Sequence, residues 1–287
     1  MILSSDGYKS YNVDDEGDCD LLIAQSPTGS YNEVWERDRE KYGYCSPELL
    51  NDYGIPGFDM IDRNKRFALI DPSEYKQRIE YAHAQQVMPM YHTYKWRPKG
   101  FKYNQNSLGY CWTWSGTGAV MTCRALEDKE MIHLSPVSMG YLVGWANRGN
   151  YLSSFVKGAR EDGICPGDLN SQDRKSSSWP MEGDRKRFRL DEVWDLNDGN
   201  MIQQCVTTLC SGRSIYIAYN WWGHALELVG LRYNGSTLEW IISNSHNEDD
   251  FIILTGSRAT PSEGIAIVST KSTEASPPEL YLPATAL

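Results

Sequence analysis

The sequence predicts an α+β fold in which a helix-rich part precedes a strand-rich part. The clearest helix signal is a run of small and apolar residues, of helical length, from Cys111 to Arg124. The clearest strand signals are runs of branched and aromatic residues that begin at Ser214 and continue to Val268. Successive helices followed by successive strands are typical of α+β proteins.

The composition describes an ordinary globular protein. The chain has 287 residues, of which 40% are hydrophobic and 23% charged, and it is long enough for one two-lobed domain or two small domains. Its net charge of −10 argues against a general nucleic-acid binder, because such proteins carry a basic surface. The aromatic content of 12% suits a groove for extended peptide or glycan and equally suits a rich core.

Targeting and cofactor signals are weak throughout the chain. No stretch approaches 18 consecutive apolar residues, which predicts no membrane span. The first residues lack the basic start and apolar run of a signal peptide, so we expect a cytoplasmic protein or one assembled into a particle. The seven cysteines form no Cys-x-x-Cys pair, which predicts reduced thiols without a disulfide framework. Nothing in the spacing predicts a metal or a cofactor.

The N-terminal part of the chain carries two predicted helices. Residues 1–30 are polar and acidic and are expected to be rich in loops, and residues 31–42 predict a helix. A clearer helix is predicted at 71–86, where Asp71 is a suitable N-cap and Pro72 suits the first turn.

Cys111 lies where a polar segment that begins at Gln105 changes into the central helix. A sulfur at a helix N-terminus is favoured as a thiolate by the macrodipole. Gly116 and Gly118 each cost the helix about 1 kcal/mol relative to alanine, so close packing must compensate. We therefore expect a buried central helix with a reactive cysteine, the alternative being a structural cysteine that begins a core helix.

The second half of the chain predicts one short helix and several strands. The helix is expected from Met201 to Leu209, and a strand that starts at His224 shows alternating polarity. Further strands are expected at 214–219, 240–244, 251–254 and 264–268. Residues 170–189 predict a solvated loop, and the tail after Ser269 is expected to be extended.

Several motifs follow one another along the chain. Residues 96–100 read Trp-Arg-Pro-Lys-Gly, and Gln105 then precedes a Cys-Trp-x-Trp-Ser sequence that starts at Cys111. Gly-His-Ala with an apolar strand follows at His224, and Asn244 begins an Asn-Ser pair. In this order the motifs resemble those of papain-like cysteine peptidases, a family with a characteristic sequence around its cysteine.

The resemblance covers residues 88–270 with gaps and implies a papain-like two-lobed fold. A helical lobe would contain the central cysteine-bearing helix, and an antiparallel β-barrel-like lobe would carry the histidine. Carried over by position, the catalytic residues would be Cys111, His224 and Asn244, with Gln105 in the oxyanion hole. The substrate would be a polypeptide, contacted by the four residues Gly149, Asn150, Trp222 and Gly223.

Three positions depart from the family pattern. Leu108 stands where the family has a half-cystine, and Asn150 stands where it has the second of two cleft glycines. His246 replaces the tryptophan that covers the histidine–asparagine hydrogen bond. We expect His246 to be solvated, the alternative being a second ionisable group in the site.

The expected organisation has four parts. Residues 1–87 form an N-terminal extension, either prosegment-like or an anchor, 88–190 the helical lobe, 191–270 the β lobe and 271–287 a tail. We expect the extension to pack away from the cleft, so that the full-length chain has an open site. A second class of function remains, namely an inactive structural protein of an assembly such as a virus particle, which binds a partner through the extension or the tail.

Overall fold

A computed structural model describes most of the chain. The described residues are 2–3, 7–25, 57–171, 188–197, 199–248 and 250–271. The helix predicted at 31–42, most of the loop predicted at 170–189 and the C-terminal tail lie outside these residues.

The described elements follow the predicted order, with helices mainly before strands. The α-helices are α1 (Glu16–Ala24), α2 (Tyr75–Ala84), α3 (Pro89–Thr93), α4 (Cys111–Leu126), α5 (Leu152–Glu161) and α6 (Met201–Cys210). The strands are β1 (Ile2–Leu3), β2 (Lys9–Asn12), β3 (Tyr103–Asn104), β4 (Leu190–Asp195), β5 (Ile215–Tyr219), β6 (His224–Asn234), β7 (Thr237–Ser243), β8 (His246–Glu248), β9 (Ile252–Thr255) and β10 (Glu263–Thr270). Short 3-10 helices span Phe58–Met60, Pro72–Glu74, Pro136–Val143 and Ser257–Ala259.

The central helix α4 is buried along nearly its whole length, from Cys111 to Ala125. Its glycines permit close packing. A Cβ atom on Gly116 would overlap the ring of Phe155 in α5, and one on Gly118 would lie 3.0 Å from the carboxylate of Glu227 in β6. The cost of two helical glycines is thus offset by packing, as predicted.

Eight strands form one sheet in the order β1-β2-β9-β7-β6-β5-β10-β4, and β3 pairs separately with β8. The pairs are antiparallel except β2 with β9, which is parallel. Along β5 the side chains alternate between two cores. Ile215 and Ile217 pack with α2 and α6, whereas Tyr216 and Ala218 pack with α4 and α5. The sheet therefore separates two hydrophobic cores, and the predicted α+β class is confirmed.

The expectation that residues 1–30 are rich in loops is wrong for the described part, which contains β1, β2 and α1. Asp15 caps α1 by accepting a hydrogen bond from the backbone N–H of Asp18. Tyr11, Val13 and Leu22 have no exposed surface and belong to the hydrophobic core that also contains residues of α2 and α6. Strand β2 is short and polar, and its pairing with the distant β9 stabilises it, which a local sequence pattern does not reveal.

Candidate active site

Cys111 is the first residue of α4 and lies at the positive end of the helix dipole. The backbone N–H of Ala225, which follows His224, donates to its Sγ atom at 3.4 Å. The carbonyl of Ala225 accepts a 2.6 Å hydrogen bond from the hydroxyl of Ser115, one turn further along α4. Both backbone groups of Ala225 thus tie the start of β6 to the first turn of α4.

His224 and Asn244 form a buried hydrogen bond because β6 and β7 are neighbours in the sheet. The Nε2 atom of His224 lies 3.0 Å from Oδ1 of Asn244. The backbone N–H of Ser245 donates to the same oxygen at 2.8 Å, which fixes the orientation of the amide. Because an amide oxygen only accepts, Nε2 of His224 carries the proton and Nδ1 is the basic nitrogen.

Burial lowers the pKa of His224 to about 4, and the hydrogen bond to Asn244 raises it in part. A charged imidazole is poorly solvated in this environment, so the neutral form is favoured. His224 is therefore able to accept a proton at neutral pH.

Gln105 is held at both ends of its side-chain amide. Its Oε1 atom accepts a 2.5 Å hydrogen bond from the hydroxyl of Ser245, and its Nε2 atom donates to the carbonyl of Leu108 at 2.7 Å. Its backbone N–H also donates to the carbonyl of Ser245, at 2.9 Å. An amide nitrogen carries two protons and the bond to Leu108 uses one, so the other can donate to a ligand.

The site is closed in this structure. Cys111 and Asn244 have no exposed surface, and Gln105 and His224 are 1% and 2% exposed. The expectation of an open site in the full-length chain is therefore wrong at Cys111, because the backbone of Ala225 and the buried first turn of α4 enclose it. A substrate can reach the sulfur only if these surroundings move.

His246 lies over the ring of His224 instead of in solvent, which corrects our expectation. Its ring is stacked on that of His224, with centroids 4.1 Å apart and planes at 27°, and it is 9% exposed. Pairing of β8 with β3 places this side chain inside, where burial and the neighbouring His224 hold its pKa well below the usual range. Among the residues that the structure describes, neither ring nitrogen of His246 has a hydrogen-bond partner.

Two of the predicted substrate-binding residues lie directly beside His224. The ring of Trp222 is 4.7 Å from that of His224 and 6.1 Å from that of His246. Gly223 is half-buried with a φ of 60°, in a turn closed by a hydrogen bond to the carbonyl of Asn220. A positive φ is a conformation that glycine adopts without strain, and at Gly223 it turns the chain between Trp222 and His224.

The other two predicted substrate-binding residues lie near the start of α4. Gly149 is buried and Asn150 half-buried, and they follow Arg148, whose carbonyl is 3.4 Å from Nε1 of Trp112. The side-chain oxygen of Asn150 accepts from the backbone N–H of Tyr151 at 2.9 Å. The side chain of Asn150 is thus hydrogen-bonded to the backbone of the residue that follows it.

Arg97 supports the site in a way that the sequence did not reveal. It is 2% exposed and donates to the hydroxyl of Ser243 at 2.8 Å and to the carbonyl of Asn244 at 3.2 Å. It also donates to the carbonyls of Glu248 and Asp250, at 2.8 and 3.1 Å. One guanidinium group therefore holds the whole segment that carries Asn244 and His246, and only the Trp-Arg motif hinted at it.

Within the described ranges, no three His, Cys, Asp or Glu side chains are arranged to hold a metal ion. The six cysteines outside residues 26–56 are thiols not joined in disulfides. None of the helices that the structure describes is both long enough and apolar enough to cross a bilayer.

The chain combines a buried helix that begins at Cys111 with a mostly antiparallel sheet in which β6 begins at His224 and β7 ends beside Asn244, as in the papain-like two-lobed α+β fold. Solved structures with this fold match the chain. Digestive procathepsin L2 from the larval midgut of Tenebrio molitor is 13% identical, with a TM-score of 0.53 over 82% of this chain and 80% of that chain. Procathepsin L 3 from the same source is also 13% identical, with a TM-score of 0.52 over 88% and 89%.

Xylellain, a cysteine protease from Xylella fastidiosa, is 14% identical, with a TM-score of 0.50 over 81% of this chain and 97% of that chain. No family model matches the sequence, and no curated protein matches it. The predicted papain-like fold is thus confirmed by structure at very low sequence identity.

Proposed function

We propose that this chain is a cysteine peptidase that hydrolyses peptide bonds, or related amide and isopeptide bonds, with Cys111 as nucleophile. The observation that carries the proposal is the 3.0 Å hydrogen bond between His224 and Asn244, since it directs the basic nitrogen of the imidazole away from the asparagine. The Ala225 N–H on the sulfur and the position of Cys111 at the start of α4 support it.

In the proposed mechanism, Nδ1 of His224 accepts the proton of the Cys111 thiol, and the thiolate attacks the substrate carbonyl carbon. The second Nε2 proton of Gln105 and the backbone N–H of Cys111 donate to the oxyanion. His224 then gives its proton to the leaving amine as the C–N bond breaks. His224 next deprotonates a water molecule, which attacks the carbonyl carbon of the thioester. The C–S bond breaks, the carboxylic acid leaves and His224 returns the proton to the sulfur.

The substrate in this proposal is an extended polypeptide. Trp222 and Gly223 border His224, and Gly149 and Asn150 follow the segment that contacts Trp112, so the two pairs belong to different walls around Cys111. Trp222 is buried against His224 in this structure and would contact an apolar substrate side chain only after the site opens. Asn150 offers an amide group where a glycine would offer only backbone.

The test is turnover of a mixed library of quenched fluorescent peptides by the full-length protein. Cys111→Ser is expected to lower kcat/KM by at least about a thousandfold, because the serine hydroxyl is a much weaker nucleophile without redesign of the site. Cys123→Ala is the matched control, since Cys123 is equally buried in the last turns of α4. Turnover that survives Cys111→Ser would refute the proposal.

The complete burial of Cys111 favours a second candidate, an inactive structural protein that binds a partner or an assembly through residues 1–87 or the C-terminal tail. For this candidate we propose, as expected from the sequence, a location in the cytoplasm or in an assembled particle. This candidate predicts no turnover of any peptide and no alkylation of Cys111 by iodoacetamide until the protein is unfolded. The peptidase predicts both turnover and alkylation of the native protein.

A further inference from the structure

We infer that Asn147 and Asn170 are positioning residues that fix the oxyanion-hole side chain of Gln105 by clamping the backbone on either side of it. The inference rests on the proposed function, since it concerns how the donor of that reaction is held. Neither asparagine contacts the reacting atoms.

Asn147 clamps the chain after Gln105. Its Oδ1 atom accepts from the backbone N–H of Gly109 at 2.6 Å, and its Nδ2 atom donates to the carbonyl of Ser107 at 3.1 Å. These two groups flank Leu108, whose carbonyl accepts the 2.7 Å hydrogen bond from Nε2 of Gln105. Asn147 therefore sets the direction of the carbonyl that orients the donor.

Asn170 clamps the chain before Gln105 in the same way. Its Oδ1 atom accepts from the backbone N–H of Asn104 at 2.9 Å, and its Nδ2 atom donates to the carbonyl of Lys102 at 2.7 Å. Both clamps thus bind a carbonyl and the N–H group two residues later. A side-chain amide has one acceptor and two donor protons, so it can bind an N–H group and a carbonyl at the same time.

The two clamps lie at the surface rather than in a core. Asn147 is exposed and Asn170 half-buried, and they bond across 38 to 68 positions of sequence. Removing either side chain leaves no buried cavity, so its effect should fall on the position of the clamped segment. Oxyanion stabilisation depends on donors held in place before the reaction, and a small displacement of such a donor is costly.

The test compares Asn147→Ala and Asn170→Ala with the parent protein, each alone and combined with Gln105→Ala. Each single variant is expected to lower kcat by roughly tenfold with KM changed less than about twofold. Neither should cause a further loss when Gln105 is already alanine, because both act through that side chain. Losses that multiply in the combined variants would overturn the inference.

Alkylation separates this role from a general structural one. Iodoacetamide reacts with a thiolate by displacement of iodide, with no oxyanion, so the clamp variants should alkylate at the parent rate. An equal fall in alkylation and hydrolysis would contradict a role through Gln105. Asn197→Ala is the matched control, because its Oδ1 atom accepts from the backbone N–H of Gly264 at 2.9 Å, outside the site. It should leave kcat unchanged.

A measurement without turnover keeps the inference separate from the proposed function. In NMR spectra the side-chain NH₂ group of Gln105 should exchange slowly with solvent in the parent protein and at least about tenfold faster in either clamp variant. If this holds and no peptide is cleaved, the proposed function alone fails. If exchange is unchanged, the clamps do not position Gln105. Should Asn147→Ala not fold, Asn147→Asp removes only the donor to Ser107 and is expected to accelerate exchange as well.

Discussion

His224 is 2% exposed and contacts the rings of Trp222 and His246. Its surroundings solvate a charge poorly, so its pKa falls to about 4, and the hydrogen bond to Asn244 is the one contribution that raises it. Above about pH 4 the ring is neutral and can accept the proton of Cys111. Below that pH it is already protonated and cannot act as a base.

Asn244→Ala is expected to shift the acid limb of kcat/KM to lower pH and to lower its plateau by roughly tenfold or more. The shift follows because the removed hydrogen bond favours the imidazolium, and the lower plateau because the ring loses its fixed orientation. The measurement is kcat/KM from about pH 3 to about pH 8. A limb that moves to higher pH would contradict the role given to Asn244.

His246→Phe is expected to raise the free energy of unfolding by about 1–3 kcal/mol. Both ring nitrogens of His246 are buried and have no partner within the described part of the chain. A phenyl ring can keep the stacking on His224 without two desolvated polar atoms. Urea unfolding at neutral pH measures the change. A loss of stability would show that the nitrogens of His246 bind water or another group. Phe251→Leu, in the hydrophobic core that contains α2 and α6, provides a destabilising comparison.

Strand β6 carries a second buried ionisable group three residues after His224. Glu227 is 1% exposed, its Oε1 atom accepts from the hydroxyl of Ser214 at 2.9 Å, and it faces Gly118 of α4. Burial raises its pKa to about 7, although its hydrogen bonds and Arg97 oppose the shift. The fold therefore favours the protonated carboxyl group beneath the catalytic helix.

Glu227 should make the protein less stable as the pH rises. Because its pKa in the fold exceeds the ordinary value of 4.5, its contribution is complete below about pH 4.5 and is lost as the pH passes about 7, by about 3 kcal/mol. Glu227→Gln imitates the protonated form and should remove this decline. Unfolding free energies at about pH 5 and pH 8 test it, and a variant less stable than the parent at the higher pH would contradict the expectation.

Local patterns in the sequence predicted the elements whose stability is largely local. The helix from Cys111 and the strand from His224 begin at the predicted residues, because a change of polarity marks each start. Pairing over long distances was not predictable. Strand β2 depends on β9, and the burial of His246 depends on the pairing of β8 with β3.

The candidate site, like the fold, has parts that the sequence predicted and parts that it did not. Motif order predicted Cys111, His224, Asn244 and Gln105 as the site residues. The structure brings His224 to Asn244 and ties Gln105 to Ser245. The supporting roles of Arg97, Asn147 and Asn170 were not predicted, because a single sequence does not show which backbone groups a side chain will bind. Their roles depend on backbone atoms that only the folded chain brings together.

At the scale of the molecule, residues 7–25 are part of the β lobe. Strand β2 lies between β1 and β9, and Lys9 forms a 2.6 Å ion pair with Glu248. Asp14 accepts hydrogen bonds from the backbone N–H and the hydroxyl of Ser257. These contacts come in addition to three fully buried apolar side chains, namely Tyr11, Val13 and Leu22.

Deletion of residues 1–25 is expected to lower the free energy of unfolding by several kcal/mol, on the order of 1.5–3 kcal/mol for each buried apolar side chain that is lost. Urea unfolding measures the loss, with the conservative variant Lys9→Gln as a control that should cost less than about 1 kcal/mol. A shortened protein as stable as the parent would show that this segment is dispensable.

The parallel pairing of β2 with β9 also determines what a protease could achieve. A cut between Gln25 and Gly57 would leave intact the described pairing of residues 9–12 with residues 252–255, which holds β2 beside β9. The amino-terminal piece would then stay in place as a small subunit bound without a peptide link. A denaturing gel would separate two fragments, whereas gel filtration under native conditions would show one particle of unchanged size.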